Sequence, residues 1–275
     1  MTSVPIRNVE SQTWRGHRLA SGERVIPEEA AIAFTYNGSS YAVMMATPQD
    51  LEDFAVGFSL TEGIVRAPAE IESLEVIEQE AGIELRLRLA EPHGSAFHER
   101  RRYLAGPTGC GLCGIESLAE AMRAPALISD SVVFSPQDIM RALHGLDALQ
   151  SLHRQTRAVH GAAYCRPGEG VIALREDVGR HNALDKLAGA LARAGQSGEG
   201  GFGIVTSRLS VEMIQKAAAI GIPMLIAMSA PTALAVRMAE IAGMTLIAVA
   251  RSDGFELFTH PQRIREDRSL HVVAR

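Results

Sequence analysis

The stretch FGIVTSRLSVEMIQKAAAIGIPMLIAM, residues 202–228, decides the fold class of this chain. It contains two short apolar runs, Phe202–Thr206 and Pro223–Met228, on either side of a helical stretch, Ser210–Ile220. Strands that are buried on both faces of a sheet have this continuously apolar pattern. The stretch therefore predicts a strand, a helix and a second strand of an α/β layer.

The same alternation extends over the second half of the chain. Short apolar strands separated by helices indicate an α/β layer with a largely parallel sheet. The other strands predicted for this layer are Ala158–Cys165, Val171–Leu174, Met244–Ala250 and a last one within Gly254–Pro261. The other predicted helices are His181–Ala194 and Pro231–Ala242.

The first half of the chain predicts a smaller α+β unit. Ala31–Thr47 has the pattern of a β-hairpin, with Asn37-Gly38 as its turn. Thr47 is expected to cap the helix that follows, and Gly63 to end it. The buried face of this helix is predicted from the spacing of Leu51, Phe54, Ala55 and Phe58. Two further strands are predicted at Ile71–Glu78 and Ile83–Leu89.

A stretch with several Gly, Pro and Arg residues, Glu91–Gly109, predicts a loop between the two units. Ser135-Pro136 then begins another helix, which is expected to run to about Leu152. We therefore expect an α/β protein with two domains. The N-terminal α+β subdomain covers residues 1–125 and ends in a Cys-x-x-Cys loop, and an α/β domain covers residues 126–275.

Composition is that of an ordinary globular protein, with 275 residues, 47% hydrophobic and 21% charged. Lys plus Arg is 27 and Asp plus Glu is 32, so the formal net charge is −5, which argues against a general nucleic-acid binder. Met1–Gly22 lacks the apolar core of a secretion signal, and the longest apolar stretch, Ala217–Ala230, is too short to span a bilayer. Three cysteines, an odd number, suit a reducing compartment, so we expect a cytoplasmic protein.

The segment Thr108–Gly114, TGCGLCG, is the first candidate for chemistry, because Cys110 and Cys113 lie three positions apart among glycines. Its glycines match the G-x-G-x-x-G dinucleotide fingerprint, but that motif needs a strand directly before it, and none is predicted here. A closed zinc site needs two further ligands, for which His160 and Cys165 are the nearest candidates in the sequence.

A reactive thiol pair is the third interpretation of this segment. A helix predicted over Ile115–Arg123 would present its positive end to Cys113, and such a position lowers the pKa of a thiol. The flanking glycines let the loop move. Two buried cysteines in a glycine-rich turn remain the alternative, but a mobile thiol that accepts and passes on a group fits better.

Polar residues also crowd into Arg175–Lys186, between a predicted strand and a predicted helix. Ligands of open α/β sheets bind at the carboxyl ends of the strands, so Arg180, His181 and Asn182 are candidates for binding an anionic ligand. The alternative is a capped helix with a solvated first turn.

Two other strand ends carry polar residues. Thr206–Ser210 precedes a helix, and Ser210 either caps that helix or leaves its backbone N–H groups to an anion. Val249–Gly254 contains a turn signal and Arg251, whose planar guanidinium suits a phosphate.

Several motifs together resemble the FdhD family, the formate dehydrogenase accessory sulfurtransferases. The motifs are TGCGLCG, EDVGRHNALDKL, SRLSVEMIQKAA, SAPTALAV, FTHPQRI and, nearer the start, LEDFAVGFSLTEGI. The resemblance implies a sulfurtransferase that takes persulfide sulfur from a cysteine desulfurase. It implies that the sulfur passes to molybdenum bis(molybdopterin guanine dinucleotide), the pterin cofactor of formate dehydrogenase. The implied partners are the desulfurase, formate dehydrogenase and, in a homodimer, a second copy of the chain.

The resemblance also implies roles for particular residues. Cys110 is the persulfide carrier and Cys113 the second thiol of the site. The cofactor-binding stretch comprises Val249, Ala250, Arg251, Ser252, Asp253 and Gly254, and Val249 stands where Phe is usual in the family. Arg180, His181 and Asn182 are expected to contribute further contacts to the cofactor.

The implied fold of the C-terminal domain is cytidine-deaminase-like. The zinc signature of deaminases, H-x-E…P-C-x-x-C, is absent, because His160-Gly161-Ala162 lacks the Glu and Pro107 is not adjacent to Cys110. We therefore predict neither deamination nor a resident metal. The alternative functions are a non-catalytic chaperone that binds the molybdenum cofactor or an apo-enzyme and, from a third class, a zinc-dependent hydrolase or deaminase.

Overall fold

The computed structural model describes residues 4–90, 122–129 and 131–265. These residues form a two-stranded hairpin, a four-stranded sheet and a six-stranded sheet, with helices around them. The described strands are β1 (Ile6–Arg15), β2 (Arg18–Pro27), β3 (Ala30–Tyr36), β4 (Ser39–Ala46), β5 (Ile71–Gln79), β6 (Gly82–Leu89), β7 (His160–Arg166), β8 (Gly170–Asp177), β9 (Phe202–Val205), β10 (Met224–Ala227), β11 (Thr245–Arg251) and β12 (Gly254–Thr259). The described α-helices are α1 (Leu51–Thr61), α2 (Pro136–Leu149), α3 (Ser151–Thr156), α4 (Arg180–Arg193), α5 (Val211–Ala219) and α6 (Ala233–Ala242).

The four-stranded sheet has the order β4-β3-β6-β5 and packs one face against α1. Strands β3 and β4 form the predicted hairpin, with Asn37 and Gly38 at positive φ in its turn. The ring of Phe34 contacts those of Phe54 and Phe58 on α1, at centroid distances of 5.0 and 4.3 Å. The four strands and the helix predicted between residues 31 and 89 are confirmed.

The predicted role of Thr47 is wrong. Helix α1 begins at Leu51 with Asp50 as its N-cap, and the Asp50 side chain makes no capping bond. Thr47 is buried instead, where its N–H donates to Asp177 Oδ2 at 3.0 Å and its hydroxyl accepts from the Val178 N–H at 3.1 Å. A Thr-Pro pair suggests a local cap, whereas the partner of Thr47 lies 130 positions away in the chain.

The six-stranded sheet has the order β12-β11-β10-β9-β7-β8. Strands β8, β9, β10 and β11 share one direction, and β7 and β12 run the opposite way. The sheet is therefore mixed. Four of its strands point the same way, in line with a largely parallel sheet, but only β9–β10 and β10–β11 are parallel neighbours.

Helices cover both faces of this sheet. Val205 and Leu225 belong to the core under α4, α5 and α6, whereas their neighbours Ile204 and Ile226 belong to the core under α2. Successive side chains of a strand point to opposite faces, so both faces of β9 and β10 are buried. This explains why these strands have continuously apolar sequences, and it confirms the predicted α/β layer.

Helix α1 lies between the four-stranded sheet and α4, and two glycines allow the two helices to touch. A Cβ atom on Gly57 would lie 1.7 Å from the Asp185 carbonyl oxygen, and one on Gly189 would lie 1.8 Å from that of Asp53. No larger residue fits either position. The N-terminal unit is thereby held directly against the helical layer of the six-stranded sheet.

Two elements differ from the sequence predictions. The hairpin β1–β2 was not predicted, because its residues are mostly polar and exposed and so have no hydrophobic periodicity. Helix α2 begins as predicted, with the Ser135 hydroxyl accepting from the Asp138 N–H at 3.0 Å, but it ends at Leu149 and α3 follows.

The division of the chain at residues 125 and 126 stays a prediction, as does the likeness of the C-terminal domain to cytidine deaminases. Residues 91–121, which include the predicted loop Glu91–Gly109, lie outside the described ranges. Within those ranges, no helix has both the length and the apolar character that crossing a membrane requires.

Candidate functional site

The carboxyl ends of β8, β9, β10 and β11 meet at one edge of the six-stranded sheet, which we call the strand-end edge. The segments that leave these strands are residues 177–181, 206–210, 228–232 and 249–254. Strand β7 begins at the same edge, because it runs antiparallel to β8 and β9. All the strand-end segments that the sequence singled out therefore converge at the edge where open α/β sheets bind ligands.

Backbone hydrogen bonds connect these segments to one another. The Thr206 N–H donates to the Gly161 carbonyl at 3.0 Å, and the Thr232 N–H donates to the Leu209 carbonyl at 3.0 Å. The Val249 N–H donates across to the Ser229 carbonyl at 3.3 Å. The strand-end edge is thus a continuous and ordered surface.

The segment at residues 249–254 contains a backbone irregularity. Val249 has a φ of 51°, in a β-bulge that shifts the register between Ala248 and Arg251. A β-branched residue is strained in this left-handed region, and such strain is concentrated at functional sites. Arg251 is exposed and donates from Nη1 to the carbonyls of Met228 and Ala250, and its other guanidinium nitrogens have no partner among the described residues.

Three arginines from three different segments lie at the strand-end edge. Arg208 and Arg251 are exposed, and Arg180, at the start of α4, is half-buried. Burial and the charge of Arg180 lower the pKa of His160, the first residue of β7. Guanidinium groups beside the starts of α4 and α5 form a surface suited to an anion.

Asp177 and Lys186 form the first of two buried networks within the segment Arg175–Lys186. Lys186 Nζ lies 2.6 Å from Asp177 Oδ2, and neither side chain has any exposed surface. Asp177 Oδ1 also accepts from the Gly179 N–H at 2.7 Å and from Asn182 Nδ2 at 2.9 Å. Lys186 also donates to the Thr47 carbonyl at 2.8 Å, so this network joins α4 to the end of β4.

Lys216, on α5, forms the second network. Its Nζ lies 2.9 Å from Asp185 Oδ1, 2.6 Å from Glu62 Oε1 and 3.1 Å from Thr61 Oγ1. Burial raises the pKa of Asp185 to about 6, although the charge of Lys216 opposes this change. Burial would lower the pKa of Lys216, but the carboxylates of Asp185 and Glu62 outweigh it and raise that pKa, so the ammonium stays charged. The second network joins α1, α4 and α5.

The polar side chains of this segment therefore hold the two units of the molecule together. A helix with a solvated first turn, the alternative considered from the sequence, is wrong, because His181, Asn182 and Asp185 are buried. The Asn182 amide already donates to the Met45 carbonyl and to Asp177 Oδ1, each at 2.9 Å. A contact between Asn182 and a cofactor stays a prediction.

Three buried polar atoms close to the starts of α4 and α5 have no hydrogen-bond partner among the described residues. They are His181 Nε2, Ser210 Oγ and Glu212 Oε2. His181 Nε2 and Glu212 Oε2 are 4.0 Å apart, too far for a hydrogen bond. Burial and the charges of Arg180 and Lys216 lower the pKa of His181 to about 4, so its ring is neutral at pH 7. A water molecule between His181 and Glu212 would satisfy both atoms.

Sequence reasoning missed Glu212 and the role of Ser210. Ser210 occupies the N-cap position of α5, as predicted, but its side chain makes no capping bond. The acidic first turn of α5 was the available signal for Glu212. Its contact with His181 depends on the packing of α5 beside α4, which no local pattern shows.

One cysteine, Cys165 on β7, lies within the described residues. Burial raises the pKa of the Cys165 thiol to about 12, so it is protonated and unreactive at neutral pH. Within residues 4–90, 122–129 and 131–265, no three His, Cys, Asp or Glu side chains are grouped so that they could hold a metal ion. Cys110 and Cys113 lie outside those ranges.

The fold and the strand-end edge define the class of this molecule. It is a mixed α/β protein with helices on both faces of a six-stranded sheet and three arginines at its strand ends. The chain belongs to the FdhD/NarQ family, whose model matches residues 27–265. The resemblance seen in the sequence motifs is thereby confirmed.

Relatives and a solved structure match nearly the whole chain. The sulfur carrier protein FdhD of Agrobacterium fabrum is 53% identical over 259 residues, which cover 94% of this chain and 96% of that protein. The sulfur carrier protein FdhD of Brucella abortus is 51% identical over 268 residues, covering 97% and 100%. A crystal structure of a protein from Desulfotalea psychrophila, described as a formate dehydrogenase accessory protein, matches with a TM-score of 0.76. It is 24% identical and covers 94% of this chain and 99% of that one, and it supports the α/β fold alone.

Proposed function

We propose that this chain is a sulfurtransferase that carries persulfide sulfur on Cys110. It takes the sulfur from a cysteine desulfurase and passes it to molybdenum bis(molybdopterin guanine dinucleotide), the cofactor of formate dehydrogenase. In the first step, the Cys110 thiolate attacks the terminal sulfur of the desulfurase persulfide. One S–S bond forms on Cys110 while the donor's S–S bond breaks, and the donor cysteine leaves as a thiolate, so no external oxidant is needed.

The observation that carries this proposal is the near-full-length identity to proteins named sulfur carrier protein FdhD. The identity is 53% and 51% with the two relatives described above, over 94% and 97% of this chain. At this level and coverage, a shared sulfur-carrier role is the simplest explanation of the shared sequence.

The environment of the third cysteine supports the assignment of the carrier to the Cys-x-x-Cys pair. A persulfide carrier needs a thiolate that its partners can reach. Cys165 has no exposed surface, and its pKa of about 12 keeps it protonated. Of the three cysteines in the sequence, this leaves Cys110 and Cys113 as candidates.

The strand-end edge is proposed to bind the cargo. The guanine dinucleotide cofactor bears phosphates, which the guanidinium groups of Arg180, Arg208 and Arg251 would bind. Besides Arg208, the residues proposed to contact the cargo are Val249, Ala250, Arg251, Ser252, Asp253, Gly254, Arg180, His181 and Asn182. The proposal includes a cytoplasmic location, no resident metal, and as partners the desulfurase, formate dehydrogenase and a second copy of the chain.

Intact-mass measurement tests the carrier step. The protein is incubated with a cysteine desulfurase and cysteine, and a labile addition of about 32 Da, the mass of one sulfur atom, is expected. The Cys110→Ala variant should lose this addition, and a thiol reductant should remove it from the wild type. The matched control, Cys165→Ala, should keep it. Equal labelling of wild type and Cys110→Ala would refute the proposal.

Activity in cells separates sulfur transfer from a purely cofactor-binding chaperone. A strain that carries Cys110→Ser should lose formate dehydrogenase activity if the thiol transfers sulfur. A chaperone whose thiols are incidental would retain that activity with Cys110→Ser and lose it with Arg251→Ala. Retention with Cys110→Ser would therefore favour the chaperone.

Nucleotide binding tests the cargo site. Titration calorimetry with guanosine diphosphate should give an affinity that falls about tenfold in Arg251→Ala or Arg208→Ala, because each removes a charge-assisted hydrogen bond. Arg88→Ala serves as the control, since Arg88 is an exposed residue of the four-stranded sheet. Equal binding by all the variants would exclude the strand-end edge as the phosphate site.

A further inference from the structure

The turn that joins β11 to β12 belongs to the segment at residues 249–254. Arg251 and Gly254 are the last paired residues of the two strands, so Ser252 and Asp253 form a two-residue turn. The favoured two-residue hairpin turns need a positive φ at one or both central residues, because their twist then matches that of the strands. Neither Ser252 nor Asp253 has a positive φ. This turn therefore lacks the geometry that is favourable in a hairpin.

The strand before the turn is irregular as well. The register of β11 against β12 shifts between Ala248 and Arg251, and Val249 lies in the left-handed region with a φ of 51°. The Val249 N–H pairs outside the hairpin, with the Ser229 carbonyl at 3.3 Å. Regular pairing does not fix the end of this hairpin, so contacts with other elements have to do so.

His144, on α2, makes such a contact with the turn. Its Nε2 lies 2.9 Å from the Ser252 carbonyl oxygen, although the two residues are 108 positions apart in the chain. A carbonyl oxygen can only accept, so Nε2 carries a proton and donates it. Among the described residues, no other hydrogen bond connects Ser252 or Asp253 to an element outside the hairpin β11–β12. His144 is thus the contact through which α2 fixes the turn.

Helix α2 is a rigid support for this contact. Four of its residues are buried in the core on one face of the six-stranded sheet: Ile139, Ala142, Leu143 and Leu146. Ala250, before the turn, belongs to the same core, and Phe255, after the turn, packs against it. The helix and both ends of the turn are therefore packed in one core, while the exposed His144 side chain binds the turn from outside it.

We propose that His144 is a positioning residue of the cargo site, which fixes the turn through the Ser252 carbonyl and thereby fixes the direction of the Arg251 guanidinium. Arg251 donates to the carbonyls of Met228 and Ala250, so its direction depends on the backbone around it. This role rests on the proposed function, in which Arg251 binds a phosphate of the cargo. His144 does not bind the cargo itself and acts through Arg251.

Titration calorimetry with guanosine diphosphate tests this role in the full chain. His144→Leu removes the donor at an exposed position, and we expect the affinity to fall about fivefold, because one neutral hydrogen bond is lost. His144→Gln keeps an N–H donor at a similar reach, so it should bind like the wild type. Gly145→Ala is the control, because nothing lies within 4 Å of a Cβ added at this neighbouring position of α2.

A double-mutant cycle with Arg251→Ala separates positioning from an independent contribution. In the Arg251→Ala background, His144→Leu should change the affinity by less than about twofold, because no guanidinium is left to position. Circular dichroism confirms that each variant is folded. An equal loss of affinity in both backgrounds would show that His144 does not act through Arg251.

Hydrogen exchange followed by mass spectrometry measures the turn without any ligand. In His144→Leu, the peptide that covers residues 250–256 should exchange about fivefold faster than in the wild type, because the turn opens more often. Peptides from β9 and β10 should exchange at the wild-type rate, and His144→Gln should restore the slow exchange of residues 250–256. Unchanged exchange of this peptide in His144→Leu would exclude the role of the contact.

The calorimetry distinguishes failure of this inference from failure of the proposed function. If Arg251→Ala weakens binding and His144→Leu does not, the cargo site stands and the positioning role of His144 is excluded. If Arg251→Ala binds guanosine diphosphate as tightly as the wild type, the cargo site is misplaced and the positioning of Arg251 is refuted with it.

Discussion

Replacing Lys186 by Met tests whether buried charges hold the two units of the molecule together. Lys186 has no exposed surface, and its ammonium lies 2.6 Å from Asp177 Oδ2 and 2.8 Å from the Thr47 carbonyl. It also lies 5.7 Å from the centroid of the Phe54 ring. Met has a similar volume but no charge, so Lys186→Met removes these interactions without opening a large cavity.

The expected loss of stability follows from what remains around Asp177. Removing one partner of a buried ion pair typically costs about 3–5 kcal/mol, since the other charge stays buried. Asp177 keeps three hydrogen bonds, from the N–H groups of Thr47 and Gly179 and from the Asn182 amide. These bonds continue to stabilise the carboxylate, so we expect a loss of about 3 kcal/mol, at the lower end of that range.

Urea unfolding followed by far-ultraviolet circular dichroism measures this loss. Fluorescence is unsuitable, because the single tryptophan, Trp14, lies on the exposed hairpin β1–β2. Arg88→Met is the matched control: Arg88 forms an exposed pair with Glu72 at 3.3 Å, and its loss should cost less than about 1 kcal/mol.

A double-mutant cycle with Asp177→Asn isolates the pairwise contribution. The cost of Asp177→Asn should be about 2 kcal/mol smaller in the Lys186→Met background than in the wild type, because no unpaired ammonium is then left behind. If Lys186→Met costs no more than Arg88→Met, or if the two substitutions are additive, the buried pair does not hold the units together and the reasoning fails.

Three further predictions follow from the packing. Gly57→Ala should destabilise the protein by about 3 kcal/mol or more in thermal unfolding, because its Cβ would lie 1.7 Å from a carbonyl oxygen; Gly145→Ala, with nothing within 4 Å, should not destabilise it. His181 binds fewer protons in the folded state between its folded pKa of about 4 and its ordinary value of 6.5, so its own contribution to stability should fall by about 3 kcal/mol as the pH drops through this window, whereas Asp185, with its pKa raised to about 6, contributes in the opposite direction. His181→Gln should lack that part of the pH dependence, and identical unfolding curves for both proteins at pH 4 and pH 7 would contradict the assignment. Cys165 should resist iodoacetamide in the folded protein and react in urea, measured by mass in a variant whose other cysteines are Ala, whereas labelling at equal rates in both conditions would show that the thiol is accessible.

Local patterns predicted most of the strands and helices. The runs Phe202–Thr206 and Pro223–Met228 are apolar because both faces of β9 and β10 are buried. A strand that is buried on both faces can therefore be predicted from its local sequence. A turn and a helix cap were also predicted from adjacent residues, the turn from Asn37-Gly38 and the cap from Ser135-Pro136. The family, likewise, was predicted from motifs and confirmed by comparison.

Patterns failed where a residue's partner is distant in the chain. Thr47 resembles a helix cap and instead binds Asp177 and Val178. The crowded polar residues Asp185 and Lys186 resemble ligand-binding groups, yet they are bound by buried partners, which include Thr61 and Thr47 of the N-terminal unit. The exposed hairpin β1–β2 was not predicted at all, because a pair of strands without a buried face has no hydrophobic periodicity.

The sequence by itself determined the fold class, the order of most elements and the segments that could carry chemistry. Only the tertiary structure decided which of their polar side chains face inward as structural ion pairs and which remain at the strand-end edge. The physical reason is that charge costs free energy to bury unless an opposite charge or hydrogen bonds meet it. Whether a buried charge meets such partners depends on residues that folding brings together, here from positions about 130 apart in the chain.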